Sequence, residues 1–242
     1  MRTALIAMLS IAAAVGCAQT KPCSSCPNKD SCPSAKATCP GATGTCPAAK
    51  TAGCCPGAAS CKGCKPLFNS KDLTGWVELG SEGSWSVADG VLKCNGKKTG
   101  YAWLCTEKKY GNFVLCFEYR IFEKGNSGVF CLVPKREGRA SMEGFEAQIT
   151  AQMTGELNEH TPGSVFQRAV ATARPSKPPG QWNAMCITCK GKDITIAING
   201  TVVVKMDKTK IANMKTVPDE GFIGLQNHDS PVEFRNICIG QL

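Results

Sequence analysis

The chain has almost no histidine, two residues in 242. No cysteine therefore has an imidazole beside it in sequence to mark it as a catalytic nucleophile. No apolar run reaches the ~20 residues that a membrane-spanning helix needs. No segment keeps a helical hydrophobic period over ten residues, so a helical core is not expected. A basic stripe interleaved with aromatic side chains is missing too, which argues against nucleic acid as a partner. The net charge of +9 is concentrated rather than spread. Six lysines against one acid stand between Ala18 and Lys65, whereas Pro66–Leu242 carries 21 basic and 18 acidic residues. The larger part of the chain is only mildly basic.

What is present falls into three stretches. Arg2 precedes Ala4–Val15, a run of about twelve mostly apolar residues, the length of a signal-peptide core. It ends Ala14-Val15-Gly16-Cys17, small residues before a cysteine, which resembles a bacterial lipobox. Residues 1–16 are thus expected to be a signal peptide, with Cys17 as the lipid-attachment residue and the cell envelope as the destination. Ordinary cleavage nearby, releasing a secreted protein, is the alternative. The only contact with a membrane would be the lipid anchor.

Between Cys17 and Cys64 lie ten of the 17 cysteines, five of them followed by proline. Prolines within each repeat forbid a continuous helix, and large apolar side chains are absent, so residues 17–65 read as a tether. Three readings remain open for it. A disulfide-stapled stalk suits an exported chain. A thiol-rich metal-binding segment is suggested by Cys23-x-x-Cys26 and Cys61-x-x-Cys64. A disordered spacer with incidental cysteines is the third.

From Pro66 the pattern changes to short apolar runs punctuated by turns. Phe113, Leu115, Phe117, Tyr119 and Ile121 alternate with Glu118 and Arg120, as in a strand with one buried face. Ile194, Ile196 and Ile198 alternate up to Asn199-Gly200, after which Val202–Met206 continues. Asn-Gly between two such runs predicts a type I′ hairpin, because that turn needs positive φ at both central residues. The fold class expected for 66–242 is all-β, a two-sheet antiparallel sandwich. Seven cysteines are scattered through it, expected as buried small hydrophobes with some cross-strand disulfides. Cys186 and Cys189 stand three apart in a predicted strand, point to opposite faces, and should neither bridge each other nor share a metal.

In chain order the domain shows Pro66-Leu-Phe-Asn-Ser-Lys-Asp-Leu-Thr-Gly-Trp76, Trp85-Ser-Val-Ala-Asp-Gly-Val-Leu92, Phe117-Glu-Tyr-Arg120, Gly125-Asn-Ser-Gly-Val-Phe130, Gly144-Phe-Glu-Ala-Gln-Ile149, Gly180-Gln-Trp-Asn183, Gly221-Phe-Ile-Gly-Leu-Gln-Asn-His228 and Val232-Glu-Phe-Arg-Asn-Ile237. Together these resemble the DUF1080 family, the 3-keto-disaccharide hydrolase domains. The resemblance implies a concanavalin-like jelly roll with a concave, sugar-binding face, and a carbohydrate as partner.

Such chemistry begins with removal of the C2 hydrogen, acidified by the neighbouring C3 ketone. It needs a general base and donors or a cation at the enolate oxygen. Strand parity puts Glu146 with Gln148, Gln226 with His228, and Arg120 with Glu118 on non-core faces. Glu146 or His228 is the expected base or acid. Arg120 with Gln148 would hold the oxyanion, and Asn126 and Gln226 the hydroxyls. A divalent cation on oxygen ligands could replace the arginine. The alternative for Asn126-Ser127 is a plain turn, for His160 a loop residue, and for Trp76, Trp85, Trp103 and Trp182 packing rather than sugar platforms.

Three departures from the family pattern stand out. Cys131 and Leu132 take the place of an arginine, Thr150 and Ala151 that of an aspartate, and Phe166 that of a tyrosine. They favour, as the rival function, a sandwich that binds carbohydrate without turning it over.

Overall fold

A computed structural model describes residues 63–98 and 100–242. The expected signal peptide, Cys17 and all but the last residues of the expected tether lie outside the described residues. Every strand pairs antiparallel with its neighbours. The larger sheet runs β11 (Thr201–Asp207), β10 (Asp193–Ile198), β9 (Asn183–Lys190), β6 (Phe113–Ile121), β13 (Val232–Gln241), β4 (Val91–Cys94) and β3 (Trp85–Ala88). The short β1 (Lys65–Pro66) also pairs with β13. The smaller sheet runs β2 (Trp76–Leu79), β5 (Ala102–Gly111), β12 (Glu220–Asn227), β7 (Asn126–Val133) and β8 (Phe145–Thr150). A single turn of helix, α1 (Ala140–Glu143), joins β7 to β8.

This is the sandwich that alternation predicts, and the core follows the same parity. Phe113, Leu115, Phe117, Tyr119 and Ile121 of β6 are all buried between the sheets. They meet Val129, Phe145, Ala147, Ile149, Ile223 and Leu225 of the smaller sheet in one cluster. Asn199 and Gly200 both have positive φ, 49° and 83°, and close the β10–β11 hairpin. Trp76 and Trp85 are buried in the core, as the packing reading expects.

Cys186 and Cys189 take opposite faces as parity requires. Cys189 is in the core, while Cys186 is on the outer face and forms a disulfide with Cys116, its direct cross-strand partner in β6. Gly-Asn-Ser-Gly is not a turn. The reversal is made by Lys124 and Gly125, and Asn126 already opens β7.

Candidate active site

A buried strand with polar residues on its non-core side needs something to cover that side. β8 is the edge of the smaller sheet, yet all six of its residues are buried. The cover is residues 151–182, the long connection from β8 to β9. Within it the Phe166 N–H donates to the Glu146 carbonyl and the Gln148 N–H to the Ser164 carbonyl, so 163–166 lies along β8. Long connections without strands of their own are often functional. This one brings His160 and Phe166 to the rim of a cavity of about 190 Å³.

The floor of that cavity is the outer face of the smaller sheet. Glu146 and Gln148 of β8 stand opposite Phe130 and Gly128 of β7, and Gln226 of β12 stands opposite Trp103 of β5. The Gln148 amide donates to the Asn126 side-chain oxygen at 3.0 Å. Asn126 is fixed in turn through its backbone, which both donates to and accepts from the Ser230 hydroxyl. Among the described residues, the side-chain oxygens of Gln148, Gln226 and Asn227 are buried without a donor. A buried acceptor costs free energy unless something donates to it, and sugar hydroxyls supply such donors.

Glu146 is the one acidic side chain among those lining the cavity. The residue is only 4% exposed, and burial pushes its pKa from the ordinary 4.5 to about 8. The Arg139 guanidinium and the Gln226 amide offset part of that rise. A carboxyl balanced near neutrality can both take and return a proton. Tyr101 stacks on Phe130 at 5.9 Å between ring centres, and its hydroxyl accepts the Ser141 N–H. Burial, and after it the nearby Glu146 charge, raise the tyrosine's pKa as well. Arg168 donates to the carbonyls of Gly144 and Met142, which braces the α1 link carrying Arg139 and Ser141.

Of the residues expected from sequence, Glu146, Gln148, Asn126, Gln226 and His228 all line this one cavity. His228 lies just past the end of β12 and is exposed. His160, expected as a loop residue, does lie on the connection after β8, and it lines the cavity too, so both histidines of the chain are at the site.

Arg120 is the exception and is not among the residues that line the cavity. It stands with Glu118 on the non-core face of β6, but β6 belongs to the larger sheet, whose non-core face is the opposite exterior of the sandwich. There Arg120 pairs with Glu233, Arg235 pairs with Glu118, and both guanidiniums pack on the Trp182 ring at 4.8 and 4.1 Å. Trp182 is thus part of this ladder. Trp103 is buried under the cavity-side aromatics, edge-on to Phe130.

Lys98, Tyr101, Arg139 and Ser141 line the cavity as well, beyond the residues the sequence points to. Of these, Tyr101 shares strand parity with Trp103, a signal present in the sequence. Arg139 and Ser141 sit on an insertion between strands that carries no periodic signal. The cationic side chains that line the cavity, histidines aside, are Arg139 and Lys98, the latter paired with Asp229 at 3.1 Å. For a divalent cation the cavity offers one carboxylate and the amide oxygens. Among the described residues no group of three His, Cys, Asp or Glu side chains is placed to share a metal.

The departures from the family pattern divide the same way. Cys131 and Leu132 pack into the core and do not face the cavity. Phe166 lines it, and Thr150 lines the adjoining hollow while its hydroxyl donates to the His160 carbonyl.

Comparison with known proteins gives the family and supports the fold. A family model described as a 3-keto-alpha-glucoside-1,2-lyase-like domain matches residues 63–240. A protein of Bacteroides thetaiotaomicron named 3-keto-disaccharide hydrolase is 26% identical over 221 residues, spanning 72% of this chain and 76% of that one. A crystal structure from Parabacteroides distasonis, assigned as a glycosyl hydrolase, is 28% identical with a TM-score of 0.64, covering 74% of this chain and 99% of the other. A Bacillus subtilis protein with a galectin-like fold gives a TM-score of 0.51 at 14% identity, covering 70% of this chain and 90% of the other, a likeness of fold alone.

Proposed function

The chain belongs to the 3-keto-alpha-glucoside-1,2-lyase-like domain family, and from that premise we propose that its cavity cleaves 3-keto glycosides. The observation that carries the proposal is Glu146: a buried carboxyl with a pKa of about 8 on a polar floor beside cationic side chains.

In this reading the Glu146 carboxylate removes the proton at C2 of the sugar. The C–H electrons pass to the C3 oxygen as an enolate, which Arg139 and Lys98 stabilise by charge. Collapse of the enolate expels the group at C1, which leaves with its bonding pair and takes up a proton. In this reading His228 or His160, which line the cavity, supplies it. Water then adds across the C1–C2 double bond, and the net change is hydrolysis. Gln148, Gln226 and Asn126 hold the hydroxyls, so the ring stays oriented through both steps.

Sugar release from a 3-keto-glucoside tests the proposal on wild-type chain and on Glu146→Gln. Release by the wild type that collapses in the variant supports it. Equal release by both removes Glu146 from the chemistry.

A second reading rests on Phe166. The tyrosine hydroxyl of the family pattern is missing at the cavity wall, which favours binding without turnover. Glycan binding by a wild type that releases no sugar selects this reading.

We further propose that the chain is exported and lipid-anchored at Cys17, on the strength of the Ala4–Val15 run and the Ala-Val-Gly-Cys sequence that ends it. Lipid labelling that disappears in Cys17→Ala supports this, and unlabelled wild type overturns it.

A further inference from the structure

The cavity that holds Glu146 does not end at His160. A second hollow, of about 440 Å³, adjoins it. Among the described residues, Asn126 and His160 line both, and no others do. The two spaces follow one strand. Glu146, Gln148 and Thr150 share the outer face of β8, Glu146 and Gln148 in the first cavity and Thr150 in the second. From Glu146 to Thr150 the strand rises roughly 13 Å, room for two linked sugar rings rather than one.

The second hollow has a chemistry of its own. Among the described residues that line it, Ala151 alone has an apolar side chain. Glu123, Lys124, Gln152 and Asn158 all offer hydrogen-bonding groups. The Gln152 side-chain oxygen is buried without a donor, and a buried acceptor costs free energy until something donates to it. An aryl or alkyl group seated here would cover polar atoms without satisfying them. A group rich in hydroxyls would satisfy them.

His160 is held at the junction by its backbone. Its carbonyl accepts the Thr150 hydroxyl at 2.8 Å, and its N–H donates to the Asn158 side-chain oxygen at 2.9 Å. Its ring lies 5.5 Å from that of Phe166, with the Glu159 carboxylate 3.6 Å from Nε2. His228 lines the first cavity only.

On the 3-keto glycoside reading, from which this inference follows, we propose that the second hollow seats a leaving group that is itself a sugar, and that His160 is the residue that protonates it. The ring whose C2 hydrogen Glu146 takes occupies the first cavity. Its C1 oxygen crosses between the two spaces at His160 and Asn126. As the enolate collapses, the C1–O bond breaks and its electron pair stays on the oxygen. The His160 imidazolium gives that oxygen a proton and becomes neutral. When water adds, Glu146 returns its proton to C2, the water oxygen bonds C1, and His160 takes the proton that this water gives up. Both groups end as they began.

The test compares two 3-keto glucosides on the full chain. One carries a second glucose as leaving group, and the other carries dinitrophenol, which departs as an anion without needing a proton. His160→Ala should lower kcat/KM by about 10²-fold on the disaccharide and far less on the aryl glucoside. Gln152→Ala should reduce the preference for the disaccharide about fivefold, the worth of one hydrogen bond. If His160→Ala does not fold, as judged by thermal melting, His160→Gln takes its place. Equal losses on the two substrates in the His160 variant, an unchanged preference in Gln152→Ala, or a wild type that releases dinitrophenol but no sugar each overturn the inference and leave the role of Glu146 standing. A wild type that releases neither leaving group overturns both.

Discussion

Gly128 of β7 lies directly under the Glu146 carboxyl of β8: a β-carbon at 128 would meet that carboxyl and stand 2.7 Å from Glu146 Cγ. The backbone at 128 is not in the left-handed region, so glycine is needed here for space rather than for conformation. The missing side chain is the seat of the candidate catalytic group.

Gly128→Ala should therefore fold and fail as an enzyme. The carboxyl can swing aside at modest cost in stability, but a displacement of about 1 Å is enough to lose about 10²-fold in rate. Thermal melting should move by only a few degrees while kcat/KM for a 3-keto-glucoside falls by about that factor. An unchanged kcat/KM would show that the carboxyl position does not matter. Gly224→Ala is a useful contrast. Its β-carbon would enter the Trp103 ring, and overpacking of this kind costs about 1–3 kcal/mol of stability.

Glu146→Gln should lower kcat/KM by about 10²–10⁴-fold and remove the rise of activity expected in the wild type as pH climbs through about 8. It should also alter stability. Between pH 4.5 and about 8 the folded chain holds this proton while the unfolded chain has released it. Wild-type stability consequently falls as pH rises through that window, by about 1.4 kcal/mol per pH unit from this group, and levels off above it. The glutamine variant lacks this slope and should be the more stable protein at pH 8. Denaturant melts of both proteins at pH 5 and pH 8 measure the difference.

Arg139→Ala removes the positive charge that draws the Glu146 pKa down. The carboxylate becomes harder to form, so the rise of kcat/KM with pH should shift to higher pH, and activity at neutral pH should drop. An unmoved profile would show that Arg139 does not act on Glu146.

Arg120→Gln should leave kcat/KM within about twofold of wild type. The loss of its pairing with Glu233 and its contact with Trp182 should cost about 1 kcal/mol, because the group is partly exposed and screened. Loss of activity at full stability would contradict the placement of Arg120 on the far face.

Period-two alternation determined much of this protein from sequence alone. It put Phe113, Leu115 and Phe117 inward, Glu146 and Gln148 outward, and a hairpin at Asn199-Gly200, because local geometry fixes both strand parity and the turn. Parity says on which side of its own sheet a residue stands, and nothing about which sheet that is. Arg120 and Glu146 look alike in sequence, and only the pairing of β6 with β13 and of β7 with β8 puts them on opposite exteriors. His160, Arg139 and Ser141 reach the cavity from connections without a period, so their positions depend on the path of the chain over the finished sheet. The pKa of Glu146 has the same origin: burial is contributed by residues distant in sequence, and it exists only once the sandwich and its cover are assembled.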